Sequence, residues 1–115
     1  MNCATPLNAK QATYNLSMSF DDVLEVVRVS IASMTKRFSI DQITGSKKLS
    51  DVDVTDDLAI TELKTRTYRA LQGKKAGKFR FNDFFTLMVI SPSSTVNQAA
   101  QAGFNAYQGA FEAAG

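Results

Sequence analysis

Histidine and tryptophan are absent from this 115-residue chain, and cysteine occurs once, as Cys3. Without histidine there is no ordinary general base near neutral pH, no imidazole metal ligand and no Ser-His or Cys-His nucleophile pair. The chain therefore reads as a non-enzyme, with no catalytic residues, no metal site, no cofactor and no small-molecule substrate. One cysteine excludes an intramolecular disulfide and leaves Cys3 either a spectator thiol or a link between copies. No apolar run approaches the roughly 20 residues of a membrane span, so no membrane partner is expected. The start, MNCATPLNAKQ, lacks the charged opening and apolar core of a secretory signal. Thirteen basic against eleven acidic residues leave a formal charge of only +2, so the placement of charge matters more than its sum. With 44% hydrophobic and 21% charged residues the composition is globular, and residues 1–115 read as one domain.

What the sequence has in quantity is alternation. Residues 61–91, TELKTRTYRALQGKKAGKFRFNDFFTLMVIS, hold two period-two runs flanking a loop of Gly, Lys and Ala. In the first run Leu63, Thr65, Thr67 and Leu71 share one side, with Arg69 as the odd member. Glu62, Lys64, Arg66, Tyr68 and Ala70 share the other. In the second run Phe79, Phe81, Phe85, Leu87 and Val89 oppose Lys78, Arg80, Asn82, Thr86 and Met88. Such alternation puts one face on a core and leaves its reverse polar. The spacing predicts a β-hairpin whose tip is Gln72, Gly73, Lys74, Lys75, Ala76 and Gly77. That tip lacks the spacing and the Ser or Thr of a phosphate loop.

Residues 1–12 read as an N-terminal arm. Tyr14, Leu16, Met18 and Phe20 alternate as a short strand. Residues 20–36 fit two patterns. Phe20, Val23, Leu24, Val27, Ile31 and Met34 make a helical stripe behind a Ser19 cap, while Val27, Val29 and Ile31 alternate in a run rich in β-branched residues. The strand is the preferred assignment, followed by another at 37–43 with Phe38 and Ile40 on one face. Residues 44–57 are turn-like. Asp51, Asp53, Asp56 and Asp57 lack the spacing and glycine of a calcium loop and read as a solvated acidic loop. A rival helix at 55–72, ended by Gly73, stays open, although Thr61, Thr65 and Thr67 favour a strand. Ser91-Pro92-Ser93-Ser94 stops the ladder. The C-terminal helix, 94–114, starts on a capping box of Thr95 and Gln98 and carries Val96, Ala100, Phe104, Tyr107 and Phe111 as an apolar stripe. The expected fold is α+β: an antiparallel sheet meander over 13–91, then a helix packed on a sheet, that of a dimer partner.

The candidate site is a surface. On the strand reading Arg28, Lys64, Arg66, Lys78 and Arg80 project opposite the apolar rows, with Tyr68, Asn82 and Thr86 between them. Cations neutralise phosphates, a Tyr stacks on an unpaired base, and Asn or Thr reads base edges, so this face suits single-stranded or looped RNA. The alternative for the same face is the solvated side of an antiparallel sheet. One helix covers only part of such a sheet, and Phe79, Phe81, Phe84, Phe85 and Phe104 exceed what one chain would bury, which argues for a homodimer.

The run VVRVSIASMTKRFSI, the hairpin KTRTYRALQGKKAGKFRFNDFFTLMVIS and the tail SSTVNQAAQAGFNAYQGAF together resemble the coat protein of single-stranded RNA bacteriophages. The resemblance covers 26–111 and lies in element order and patterning. It implies a dimer with a continuous sheet and interlocked helices, assembled into an icosahedral virion shell in the host cytoplasm. It also implies RNA on the inner sheet face, at Lys64, Arg66, Tyr68, Lys78, Arg80, Asn82 and Thr86, with the 72–77 loop meeting its copies at symmetry axes. The N-terminus departs from that pattern, so the first strands, and Arg28 with them, are not among the positions the resemblance carries over. A reading from another class is a mostly helical adaptor or nucleic-acid-binding regulator without catalytic activity, with helices at 20–36, 56–72 and 95–114.

Overall fold

The computed structural model describes residues 18–73 and 79–114. Among them are four α-helices: α1 (Phe20–Thr35), α2 (Asp57–Gly73), α3 (Phe81–Leu87) and α4 (Val96–Ala114). Two 3-10 turns, Ile40–Gln42 and Leu49–Val52, interrupt the connection from α1 to α2. No strand occurs among the described residues, and the extended pairing is limited to one antiparallel bridge between Lys48 and Thr95. The expected antiparallel sheet is thus corrected to an all-α fold.

The reason lies in residues that satisfy both periodicities. Leu63, Thr67 and Leu71 are fully buried; four residues apart, they share a strand face by parity and a helix face by the 3.6-residue turn. Ile60, also buried, fits only the helix. In the second run Phe84 is fully buried, on the side that alternation gives to Lys78 and Arg80, while Phe81 is partly exposed. Phe84 and Met88 are spaced for a helical turn, and both are at 0% exposure. The threonines are accommodated by back-bonding: Thr65 Oγ1 donates to the Thr61 carbonyl at 2.9 Å, and Thr67 Oγ1 to that of Leu63 at 2.8 Å.

Local signals start each long helix. At α1, Ser19 Oγ accepts from the Asp22 N–H at 3.2 Å, while Asp22 Oδ2 accepts from the Ser19 N–H at 2.9 Å. Residues 20–36, expected as strand, are therefore helical through Thr35, and Lys36 closes the helix at φ 60°. At α2, Asp56 Oδ1 accepts from the Ala59 N–H at 2.8 Å. At α4, Thr95 and Gln98 exchange hydrogen bonds of 2.8 and 3.0 Å, which forms the capping box.

α4 packs against α1 and α3, and α1 against α2. Val96, Ala100 and Tyr107 are fully buried and Phe111 nearly so, covered by the chain's own helices. The face expected to meet a partner's sheet is therefore the core of this chain. Gly103 permits the close approach: a Cβ there would sit 3.2 Å from Val23 Cγ1 and 3.5 Å from Met88 Cε. The α1–α2 connection is tied to the start of α4 by backbone bonds, Leu49 N to Ser94 O at 2.8 Å and Val96 N to Lys47 O at 2.8 Å. The N-terminal arm, Cys3 and the strand proposed at Tyr14 and Leu16 lie outside the described residues.

Candidate functional site: the groove between α1 and α2

The described residues among those expected on one RNA-binding face lie on, or at the start of, three helices, and most are committed to separate contacts. Arg28, on α1, donates from Nε to the Ile43 carbonyl at 2.9 Å and from Nη2 to the Ile40 carbonyl at 2.8 Å. It holds the connection against the helix. Lys64, on α2, places Nζ 3.7 Å from the centroid of the Phe85 ring. Burial pushes its pKa below the ordinary value. Tyr68 packs edge-on against Phe79 and Phe81 at 5.4 and 5.1 Å between centroids, and its hydroxyl donates to the Phe79 carbonyl at 3.1 Å. Phe84 lies 5.8 Å away as well, so Tyr68 is packed into the chain's own aromatic cluster. Arg80 pairs with Asp83 at 3.2 Å, and Asn82 and Thr86 are exposed on α3. The single basic face is thereby corrected: helical winding sends Lys64 and Tyr68 towards α3, and Arg66 towards α1.

The inter-subunit loop is corrected at its start as well. Gln72 and Gly73 belong to α2, and Gln72 Nε2 donates to the Phe79 carbonyl at 3.1 Å. Lys74, Lys75, Ala76, Gly77 and Lys78 lie outside the described residues. Phe104 of the supposed dimer stripe is half-buried against the chain's own core.

The acidic stretch resolves into structural duties. Asp51 accepts from the Lys48 N–H at 3.1 Å, Asp53 pairs with Arg37 at 2.8 Å, and Asp56 caps α2. Among the described residues no group of three or more His, Cys, Asp or Glu side chains converges as a metal site.

What the fold does build is an open groove of about 560 Å³ between α1 and α2. α1 contributes Val29, Ser30 and Ser33; α2 contributes Glu62, Thr65, Arg66 and Arg69. The α2 residues recur at intervals of three and four, so they stack along one edge of the helix. Arg66 is fixed in place, with Nε and Nη2 each 2.8 Å from Glu62 Oε2 and Nη1 donating to Ser33 Oγ at 2.9 Å. Arg69, one turn further, is exposed and has no ion pair or hydrogen bond among the described residues. Ser30 lies at 5% exposure on the groove wall. Reading by alternation passed over this site. Its signal was Arg69 itself, the one cation on the supposed apolar row, which a helical reading places beside Glu62 and Arg66. The chain matches no family model, no curated protein and no solved structure.

Proposed function

We propose that this chain is a small, non-catalytic helical adaptor that takes a segment of a partner protein into the α1–α2 groove. The observation that carries this reading is the groove itself. Its volume falls in the range of ligand-binding clefts, roughly 300–1,000 Å³, and its walls combine an exposed valine with hydroxyls and guanidinium groups. Its chemistry favours holding over turnover. Glu62 is the groove's carboxylate, and its Oε2 is occupied by Arg66, which leaves it a poor base for Ser30 or Ser33.

Nucleic acid fits less well. Among the described residues Arg28, Arg37, Arg66 and Arg80 each stand within 4 Å of a carboxylate, so these four guanidinium groups are already compensated and offer phosphates less. The shell-forming reading drew its RNA face from a sheet, and the described members of that face lie instead on α1, on α2 and at α3.

The test compares wild-type protein with Arg69→Glu, in the groove, and Arg80→Glu, outside it. Each is immobilised and exposed to extract of the native cell at physiological salt. The adaptor reading expects a protein retained by wild type and Arg80→Glu and lost from Arg69→Glu. An identical set retained by all three overturns it.

A further inference from the structure

The groove's lining is unbalanced in sign and in hydrogen bonding. Glu62 and Arg66 neutralise one another across 2.8 Å, which leaves the Arg69 guanidinium as one uncompensated positive charge. Three N–H groups of Arg66 are engaged by Glu62 and Ser33; its other donors have no partner among the described residues, and Arg66 lines the groove. Ser30, on the groove wall, adds a hydroxyl with no hydrogen-bond partner among the described residues. That hydroxyl is open to the groove rather than sealed in the core, so it is free to donate to a ligand acceptor. Thr65 already donates to the Thr61 carbonyl and offers only lone pairs. The surplus is of donors, and its complement is an oxyanion.

Charge decides which oxyanion. A carboxylate carries one negative charge and matches a lone guanidinium in a planar, two-point contact. A phosphate monoester carries roughly −1.5 to −2, and its excess would face the Glu62 carboxylate. Val29, 42% exposed on the α1 side of the groove, is an apolar surface that a free acetate-sized anion would leave uncovered. From this geometry we infer that the occupant is an acidic, partly apolar peptide segment. A Glu or Asp side chain bonds Arg69, the spare donors of Arg66 and the Ser30 hydroxyl, and an apolar neighbour covers Val29. The inference rests on the adaptor reading and names the partner's chemistry.

The probe is a short acetylated and amidated peptide with one glutamate between two leucines, titrated into nitrogen-15-labelled protein. Its counterparts carry glutamine or phosphoserine at the central position, and sodium hexanoate stands for a free acid. Expected are saturable shifts at the amides of Val29, Ser30, Arg66 and Arg69, with affinity falling about tenfold or more when one charge-assisted bond is lost. That loss appears both for the glutamine peptide on wild type and for the glutamate peptide on Arg69→Gln. Arg69 is exposed, so the variant keeps the fold, and far-ultraviolet circular dichroism verifies this. Equal binding of the glutamate and glutamine peptides overturns the inference, as does tighter binding of the phosphoserine peptide. So does the absence of saturable shifts. Hexanoate binding as tightly as the glutamate peptide overturns the peptide occupant. If the peptides fail while Arg69→Glu still loses its partner from extract, the adaptor reading stands and the acidic occupant falls.

Discussion

Arg28 and Ile43 are joined by a 2.9 Å hydrogen bond from the guanidinium Nε to the carbonyl oxygen, and Nη2 of the same fork reaches the Ile40 carbonyl at 2.8 Å. Ile43 is fully buried, so this bond fixes the point where the α1–α2 connection enters the core. A planar guanidinium spans two carbonyls at once, which an ammonium does not reproduce with the same geometry.

Arg28→Met should therefore cost about 2–3 kcal/mol, the sum expected for charge-assisted bonds to acceptors that lose their partner. Arg28→Lys should recover only part of that. Urea denaturation at neutral pH measures both. A loss under about 0.5 kcal/mol for Arg28→Met, typical of an uncommitted surface position, would contradict the bracing role.

Gly103 and Gly109 on α4 should respond to alanine with opposite signs. Each substitution gains about 1 kcal/mol of helix propensity. At Gly109 the new Cβ meets only Leu87 Cδ1, at 2.9 Å, and Leu87 is 47% exposed and able to swing away. At Gly103 it meets Val23 and Met88, both at 0% exposure, where neighbours give way at a cost of roughly 1–3 kcal/mol. Gly109→Ala should raise the melting temperature and Gly103→Ala should not. Differential scanning calorimetry of the two variants decides, and a rise for Gly103→Ala would refute the close packing of α4 on α1.

The start of α4 was readable, and those of α1 and α2 stood as alternatives to strand and loop, because a cap is a local device. Ser19, Asp56 and Thr95 all stood in the sequence where they now bond backbone N–H groups. The middle of the chain misled because Leu63, Thr67 and Leu71 satisfy two periods at once, and three threonines in α2 argued for a strand that back-bonding to Thr61 and Leu63 made unnecessary. Phe84 was the discriminating residue. It broke the alternation of its run, and its burial against Tyr68 and Phe79 depends on tertiary packing that no local pattern displays. The groove was illegible for a related reason. Ser30 and Arg66 are remote in sequence, and only the docking of α1 on α2 brings them to one groove.

Thr95→Ala should remove the α4 cap at a cost of about 1 kcal/mol. The side chain accepts from the Gln98 N–H at 3.0 Å, and α4 supplies Val96, Ala100 and Tyr107 to the core, so the loss is felt globally. Thr95→Ser and Thr95→Asp should retain most of the stability. Chemical denaturation of the three variants checks this ordering, and equal stability of Ala and Ser would show the cap to be idle.

Lys64 offers a pH test whose sign separates two opposed effects. The Phe85 ring face, 3.7 Å from Nζ, favours the charged ammonium. Partial burial disfavours it and lowers the pKa beneath its ordinary value near 10.5. If burial wins, the unfolded chain binds the extra proton throughout the interval between the lowered pKa and 10.5. Stability contributed by this group then rises with pH across that interval and is at its lowest below it. Lys64→Met fills similar space without titrating, so the stability difference between wild type and variant isolates the group from other lysines and tyrosines. Wild type should gain on Lys64→Met as pH climbs towards 10.5, measured by urea denaturation at closely spaced pH values. A wild type that instead loses ground over that interval would show that the ring, not burial, governs Lys64, and Phe85→Leu should then restore the rising slope.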